Sequence, residues 1–208
     1  MSIKAGLGLM AVVAHPDDET FGCGGLLAKY AAEGVRVSVV CATRGEAGEI
    51  SDPSLASAEN LAQVRERELR KACRALGVET VYILGYRDSG MGGAPSNHHP
   101  RALRNAPIEE VSGRIVEAIR RERPQVILTF DPDGGYGHPD HIAIHKAARE
   151  AFTAAALSNR YPGQLKVDLQ PFQPHKLYYF VFPRSAVAEF RRALQEAGVE
   201  SRLAEGEA

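Results

Sequence analysis

The sequence of 208 residues predicts an α/β fold, a Rossmann-like arrangement of three layers in which helices cover both faces of a mainly parallel sheet. Short apolar runs of strand length alternate along the chain with longer segments of helical periodicity, as in successive β-α-β units. Two of the predicted helices end at Gly34 and Gly77, because glycine readily adopts the left-handed conformation at a helix C-terminus. Polar loops follow two of the strands, and open α/β sheets bind their ligands at that edge.

The first part of the chain is predicted to contain three strands and two helices. Residues 9–13, 36–42 and 80–84 are short apolar runs and are predicted to be strands. Helices are predicted at 21–33 and 59–76, each between two of these strands. Because a helix connects each pair of successive strands, the strands are expected to be parallel.

The second part of the chain continues this alternation after a long loop at 85–106. A helix is predicted at 108–123, since its acidic residues come early and its basic residues late. The loops 46–57 and 85–106 are longer than most connections and are expected to form walls of a substrate site. The other predicted elements are strand 125–130, helix 141–155, strand 176–182, helix 186–197 and an acidic tail of small residues.

The composition is that of an ordinary globular protein, with 44% hydrophobic and 25% charged residues. We expect one domain over residues 1–208 and a cytoplasmic location, because no signal peptide or membrane-length apolar run is visible. The net charge of −1 argues against a nucleic-acid partner. The cysteines are expected to be small packing residues in a reducing compartment, because Cys23, Cys41 and Cys73 form no Cys-x-x-Cys pair.

Two similar clusters of histidine and aspartate each follow a predicted strand. The first is His15-Pro16-Asp17-Asp18, and the second is His138-Pro139-Asp140-His141 after a glycine-rich loop. Capping of the following helices could explain a single aspartate, but not two His/Asp clusters with proline at the second position of each. Because the carboxyl ends of parallel strands lie at one edge of a sheet, the two clusters are expected to meet.

These residue types predict a catalytic metal site. Imidazole and carboxylate both suit zinc, and a catalytic zinc takes three protein ligands, for which His15, Asp18 and His141 are the candidates. Asp17 would lie beside the metal as an unligated general base. His138 would approach the substrate from the opposite side, as an oxyanion donor or an acid, with Asp140 orienting it.

Other ligand classes fit the sequence less well. Gly6-Leu7-Gly8 precedes the first strand, and Gly22-Cys23-Gly24 has Leu27 where the third small residue of a dinucleotide fingerprint should stand. A Walker-type phosphate loop does not occur. His145 lies four residues after His141 and is expected to be a packed or an exposed residue and not a ligand.

The two clusters resemble those of the LmbE-like, or PIG-L, family of zinc-dependent N-acetylglucosaminyl deacetylases. Segments 43–49, 65–77 and 86–91 also resemble that family, and the resemblance covers about residues 9–152. It implies zinc on the three ligands already named, Asp17 as general base, His138 as acid or oxyanion partner, and Tyr136 as a mobile active-site residue. In the branch that acts in mycothiol metabolism, the positions of Glu49, Arg65 and Asp88 contact the sugar or inositol of the substrate. For Arg65 the alternative is a solvated helix face of mixed charge.

The sequence therefore predicts a hydrolase that de-N-acetylates a small molecule containing N-acetylglucosamine, by means of water activated by Zn²⁺. Fe²⁺ is the alternative metal. The alternative functions are an amidase acting on thiol-conjugated amino-sugar amides and a non-catalytic module that binds metal or sugar. The expected partner is a small amino-sugar substrate, with no nucleic acid or membrane, and a homo-oligomer is left open. Relatives of the mycothiol branch continue beyond the position equivalent to Ala208, so the C-terminal part is expected to be shorter here.

Overall fold

The computed structural model describes residues 6–181 and 183–198, which include a five-stranded parallel sheet of order β3-β2-β1-β4-β5. The strands are β1 (Gly8–Val13), β2 (Arg36–Cys41), β3 (Thr80–Ile83), β4 (Val126–Phe130) and β5 (Lys176–Phe180). All six residues of β1 are buried, as expected for a central strand covered on both faces. The predicted α/β fold with a parallel sheet is confirmed.

Helices cover both faces of this sheet. Given the strand order, the right-handed sense that β-α-β crossovers take puts α1 and α2 on one face and α3 and α5 on the other, where α3 and α5 pack against each other. The helices are α1 (Asp18–Ala32), α2 (Leu61–Ala75), α3 (Ile108–Glu122), the single turn α4 (Gly134–Gly137), α5 (Pro139–Ala154), the single turn α6 (Pro162–Leu165) and α7 (Arg184–Glu196). Short 3-10 segments, Pro95–His98 and Leu103–Asn105, lie within the predicted loop 85–106.

The strand order reverses between β1 and β4. From β1 the chain moves through β2 to β3 at one edge, and after α3 it returns to place β4 on the other side of β1. The register pairs Leu9 with Val126 and Ala11 with Leu128, so both strands end at the same edge of the sheet. A crevice forms at such a switch point because the connections leave in opposite directions.

Several observed boundaries differ from the predicted ones in a way that matters for the site. Helix α1 begins at Asp18, where 21 was predicted, and α5 begins at Pro139, where 141 was predicted. Acidic side chains and proline in the first turn favour these earlier starts. Strand β5 ends at Phe180; the predicted strand residue Phe182 and the acidic tail beyond 198 lie outside the described residues.

The cysteines are buried and free, as predicted. Burial raises the pKa of Cys23 and Cys73 to about 12, so these thiols stay protonated at neutral pH. In the described part of the chain, none of the helices is both long and apolar enough to cross a membrane.

Candidate metal centre and active site

The two predicted clusters meet at the switch point of the sheet. His15 is two residues beyond the end of β1, and His138 and His141 lie at the start of α5, which follows β4 and the turn α4. All three imidazoles are buried, and the ring centroids of His15 and His138 are 4.6 Å apart. Residues more than a hundred positions apart in the sequence therefore share one site.

The three predicted metal ligands face one another. Nδ1 of His15 lies 3.2 Å from Nε2 of His141, and these atoms lie 3.6 and 3.4 Å from the two carboxylate oxygens of Asp18. Two ligand atoms bound tetrahedrally to zinc, at the usual bond length, are about 3.4 Å apart. The spacing and chemistry of this donor set thus fit a zinc ion.

Asp18 is held in place by the backbone that precedes α1. Its Oδ2 atom accepts hydrogen bonds from the backbone N–H groups of His15, at 2.8 Å, and Ala14, at 3.2 Å. Burial raises the pKa of Asp18, but hydrogen bonds with His141 and His15 outweigh burial and hold that pKa well below its usual range. The carboxylate is therefore ionised, as a metal ligand must be.

His141 is oriented by β4 and the turn α4. Its ring stacks on Phe130 with a centroid distance of 3.8 Å, and its Nδ1 lies 3.1 Å from the carbonyl oxygen of Gly134. Donation of the Nδ1 proton to this carbonyl leaves the Nε2 lone pair facing His15 and Asp18. Gly134 has a φ of +67°, and a Cβ there would lie 2.8 Å from the Cβ of His141, so glycine is required.

His15 is oriented by two buried carboxylates. Its Nε2 lies 3.2 Å from Oδ2 of Asp140 and 3.4 Å from Oδ1 of Asp88. Burial lowers the pKa of His15, but hydrogen bonds with Asp140, Asp18 and Asp88 raise it well above its ordinary value. These carboxylates fix the ring so that Nδ1 faces Asp18 and His141.

The geometry of Asp140 and Asp88 differs from the roles expected from the sequence. The Asp140 carboxylate contacts His15, and only the backbone N–H of Asp140 contacts His138. Asp88 is 4% exposed, and its two oxygens accept backbone N–H groups of Gly90 and Ala47, so its side chain faces the protein interior and not a substrate surface. Both residues lie one layer behind the candidate metal ligands.

Two other groups of side chains bring potential ligand atoms within 4.8 Å of one another: His15 with His138 and His141, and His15 with Asp88 and Asp140. In the second group, the Asp140 oxygens already accept hydrogen bonds from the backbone N–H and side-chain hydroxyl of Ser89. In the first group, His138 accepts the N–H of Asp140 at Nδ1, 3.1 Å away. The backbone donors of Asp18 use Oδ2, which leaves Oδ1, 3.4 Å from Nε2 of His141, to face the site, and this makes Asp18 the better third ligand.

Asp17 lies beside the ligands with a strained backbone. Its φ is 116°, which is rare for any residue except glycine, and its N–H donates to Oε2 of the buried Glu19 at 2.9 Å. The Asp17 side chain is 52% exposed. Partial burial of the carboxylate and the neighbouring Asp18 raise the pKa of Asp17 to about 6, although Arg65 and His15 lower it.

Arg65 contacts the loop that carries Asp17. One nitrogen, Nη2, donates to the Asp17 carboxylate at 2.9 Å and to the carbonyl oxygen of Pro16, while Nη1 donates to the carbonyl of Gly45 at 2.9 Å. A Cβ at Gly45 would lie 1.9 Å from Nη1, so glycine at this position makes room for the guanidinium. Arg65 is thus not a solvated helix residue. Most of its guanidinium N–H groups donate to oxygens of the protein itself and are not free to bind a substrate.

His138 is buried and faces the cluster as a neutral imidazole. Its Nδ1 accepts the N–H of Asp140, so the ring proton resides on Nε2. Burial and the neighbouring His15 and His141 lower the pKa of His138 to about 4. At neutral pH the ring is therefore a hydrogen-bond donor, which matches an oxyanion partner better than a cationic acid.

Tyr136 and Glu49 are, like Asp17, exposed among the predicted site residues. Tyr136 is 64% exposed, and its ring centroid lies 5.1 Å from that of His141. Three glycines with positive φ surround it in the sequence, Gly134, Gly135 and Gly137, so the backbone can reorient there. Glu49 lies on the exposed surface of the loop after β2.

Sequence reasoning assigned no role to Glu19, Ser89 or Phe130, which support the site. Glu19 is 1% exposed and fixes the backbone of Asp17, Ser89 holds Asp140, and Phe130 stacks on His141. Glu19 could have been found from its place directly after the two aspartates. Ser89 and Phe130 are ordinary loop and strand residues in the sequence, so only the fold reveals their contacts.

A family model described as PIG-L, GlcNAc-PI de-N-acetylase, matches residues 10–152 of the chain. The chain is also similar to a deacetylase of 1D-myo-inositol 2-acetamido-2-deoxy-alpha-D-glucopyranoside from Nocardiopsis dassonvillei. The two are 45% identical over 196 residues, which cover 90% of this chain and 67% of the relative. A protein of the same description from Thermobifida fusca is 44% identical and covers 87% of this chain and 64% of its own length.

Among solved structures, the fold is similar to that of the N,N'-diacetylchitobiose deacetylase from Pyrococcus horikoshii. The TM-score is 0.69 at 28% sequence identity, with 89% of this chain and 67% of that chain covered. The chain thus spans about two thirds of the length of the curated relatives that it matches.

Proposed function

Because this chain belongs to the PIG-L family of de-N-acetylases, we propose that it is a metal-dependent hydrolase that removes the acetyl group from a small molecule containing N-acetylglucosamine. The resemblance seen in the sequence motifs is confirmed by the family match over residues 10–152. The names of the related proteins make the N-acetylglucosaminide of myo-inositol the first substrate to test.

The observation that carries this proposal is the meeting of a three-donor metal site with an unligated carboxylate. Nδ1 of His15 and Nε2 of His141 lie 3.2 Å apart and face Asp18, while Asp17 projects beside them into a partly exposed position. A module that only bound metal or sugar would need no carboxylate held there by a strained backbone. The arrangement therefore favours hydrolysis over simple binding.

His15, Asp18 and His141 would hold the metal, for which Zn²⁺ is the first candidate and Fe²⁺ the alternative. When bound, the metal supplies Lewis acidity, which polarises the amide carbonyl and lowers the pKa of water. The orientation of His15 by Asp140 and Asp88 supports this ligand set, because histidine ligands usually donate their second ring N–H to a carboxylate or carbonyl.

Asp17 would act as the general base and then as the acid. Its carboxylate takes a proton from water while the water oxygen forms a bond to the amide carbon. The carbon–nitrogen bond then breaks, the same proton passes to the amine nitrogen, and acetic acid and the free amine are released. The raised pKa of Asp17, about 6, suits a group that must both accept and return a proton near neutral pH.

His138 would stabilise the negative charge that develops on the carbonyl oxygen. The Nε2–H of its neutral ring is the available donor, because Nδ1 accepts the N–H of Asp140. Tyr136 is exposed, so its side chain would be free to move over a bound substrate and donate a second hydrogen bond to the carbonyl oxygen. Glu49 remains a candidate for contact with the sugar, whereas the contacts of Arg65 and Asp88 support positioning of Asp17 and His15.

The test is metal-dependent acetate release. The full chain would be stripped with a chelator, reloaded with Zn²⁺ or Fe²⁺, and assayed against the N-acetylglucosaminide of myo-inositol, other N-acetylglucosaminides and a bulkier N-acyl conjugate. We expect acetate release only after reloading, with about one metal ion per chain. Metal binding without hydrolysis of any of these amides would instead support a non-catalytic module.

A further inference from the structure

Asp17 occupies the N-cap position of α1 without acting as its cap. An aspartate at this position normally has extended backbone angles, and its side chain accepts an N–H of the first helical turn. Asp17 instead has φ 116° and ψ −32°, and its carboxylate makes no hydrogen bond to the helix. Arg65 holds this carboxylate, at 2.9 Å, beside the candidate metal ligands. The side chain that would ordinarily cap α1 is therefore directed into the candidate active site.

Glu19 makes the contact that accompanies this unusual arrangement. It is the second residue of α1, and its Oε2 accepts the backbone N–H of Asp17 at 2.9 Å. In a capping box, a glutamate of the first turn makes such a bond, and the N-cap side chain makes a second bond to an N–H of the helix. Here the second bond is missing. Glu19 thus anchors the backbone of Asp17 and leaves its carboxylate available for other partners.

The environment of Glu19 shows that packing alone does not call for a carboxylate there. The side chain is buried, and within the described part of the chain no lysine, arginine or histidine forms an ion pair with it. Burial of a carboxylate without a cation is unfavourable. Its other oxygen, Oε1, accepts the hydroxyl of Thr20 at 2.7 Å, but Thr20 is exposed and its hydroxyl can bond to water. What glutamate provides at this position is therefore an acceptor for the N–H of Asp17.

We propose that Glu19 is a positioning residue for the general base. By holding the backbone N–H of Asp17, it prevents the Asp17 carboxylate from turning back to cap α1. This inference rests on the proposed amide hydrolysis, in which Asp17 is the base, and it adds a residue to that mechanism. Without the Glu19 acceptor, the backbone of Asp17 would relax to a negative φ, and its carboxylate would accept an N–H of the first turn. The carboxylate would then no longer reach a water molecule beside the candidate metal ligands.

The test compares Glu19→Met with Glu19→Gln in the full chain loaded with Zn²⁺. Methionine fills a similar volume without a good acceptor, whereas glutamine keeps an oxygen for the N–H of Asp17, and the Thr20 hydroxyl can turn to accept from the glutamine amide. With the N-acetylglucosaminide of myo-inositol as substrate, Glu19→Met should lower kcat by about 10- to 100-fold, with KM and metal content unchanged. Glu19→Gln is the matched control and should keep most of the wild-type kcat.

A double-mutant cycle separates positioning of the base from a general effect on the fold. In the Asp17→Asn background the base is absent, so addition of Glu19→Met should cause little further loss of kcat. An equal fall in kcat in the wild-type and Asp17→Asn backgrounds would overturn the positioning role. An unchanged kcat for Glu19→Met, or a loss with Glu19→Gln as large as with Glu19→Met, would overturn it too.

Crystal structures of the wild type and Glu19→Met test the conformational step separately from catalysis. We expect a positive φ at Asp17 in the wild type and a negative φ in the variant, with the Asp17 carboxylate then accepting an N–H of the first turn of α1. An unchanged φ in the variant would overturn the inference. Absence of N-acetyl hydrolysis by the wild type would overturn the proposed function, and a relaxed Asp17 in the variant would then still support the role of Glu19 in holding the backbone.

Discussion

Asp17 is held in an unfavourable backbone conformation by two neighbours. A φ of 116° in a non-glycine residue costs on the order of 1–3 kcal/mol, and it persists only where the surroundings enforce it. Glu19 holds the backbone N–H of Asp17, and Arg65 holds its carboxylate and the preceding carbonyl of Pro16. The strain keeps this carboxylate beside the proposed metal ligands, in the place expected of a general base.

The role of Asp17 as a base is tested by Asp17→Asn. We expect turnover to fall by about 10² to 10⁴, because the amide of asparagine cannot take a proton from water. Metal content, measured by elemental analysis, should stay at the wild-type level, since His15, Asp18 and His141 are unchanged. Loss of metal together with activity would make Asp17 a ligand instead.

The role of Arg65 in positioning is tested by the pH dependence of kcat/KM. The pKa of Asp17 is about 6 in the metal-free protein, and a bound metal cation would bring it below that value. Because a protonated Asp17 cannot act as a base, kcat/KM should fall as the pH drops to about 6 or below. Arg65→Met removes a cation that lowers this pKa, so the acidic limb of the plot of kcat/KM against pH should move to higher pH by about one unit. Arg65→Lys keeps the charge and should move the limb less. A higher KM with an unmoved limb would show that Arg65 binds substrate.

At the scale of elements, the glycine-rich turn α4 sets the position of His141. The carbonyl of Gly134 accepts from His141, and the positive φ of Gly134 brings the turn close to the first residues of α5. A side chain at Gly134 would collide with His141 and Ile142. The turn therefore supports the proposed metal site, although none of its residues is a candidate ligand.

The contribution of this turn is tested by Gly134→Ala. We expect metal affinity to fall by about 10- to 100-fold, as for other changes that disturb the orientation of a ligand. Gly137→Ala is the matched control, because Gly137 also has a positive φ, +84°, but a Cβ there would meet nothing within 4 Å. Competition with a fluorescent chelator would measure both affinities, and an equal loss in the two variants would mean that backbone strain alone is responsible.

At the scale of the whole molecule, the proposed metal joins the connections that follow β1 and β4. Its ligands come from both sides of the switch point, so the complete ligand set exists only when the sheet is formed. A ligand that binds only the folded state raises its stability by about 2.7 kcal/mol at a free concentration of one hundred times its Kd.

Removal of the metal should therefore lower the melting temperature, by roughly 5–10 °C for a domain of this size. The pKa of His15 is raised in the metal-free protein, so protonated His15 stabilises the fold at low pH, and that contribution is lost as pH rises through the raised pKa. The same proton competes with the metal, so the increase in melting temperature caused by Zn²⁺ should grow as pH rises. Calorimetry with and without a chelator, at several pH values, would measure both effects. A metal effect that is the same at all pH values would contradict the assignment of His15 as a ligand.

The sequence by itself determined the fold class and the residues that meet at the site. Alternating apolar runs and helical segments predict the parallel sheet, because local periodicity is a property of the chain alone. The two His/Asp clusters predict the meeting of His15, Asp18 and His141, because strand ends of a parallel sheet share an edge. The free, buried cysteines also follow from the sequence, whereas only the structure shows that His145 is buried with its Nδ1 at the carbonyl oxygen of Phe130.

Only the tertiary structure decided what each surrounding side chain contacts. The carboxylate of Asp140 contacts His15, although Asp140 belongs to the same sequence cluster as His138. Asp88 and Arg65 reach the site from other segments of the chain. Such contacts depend on distances between elements separated by 48 to 125 residues, which no local pattern encodes. Sequence pattern therefore fixes which chemistry is available, whereas packing fixes which partner each group meets.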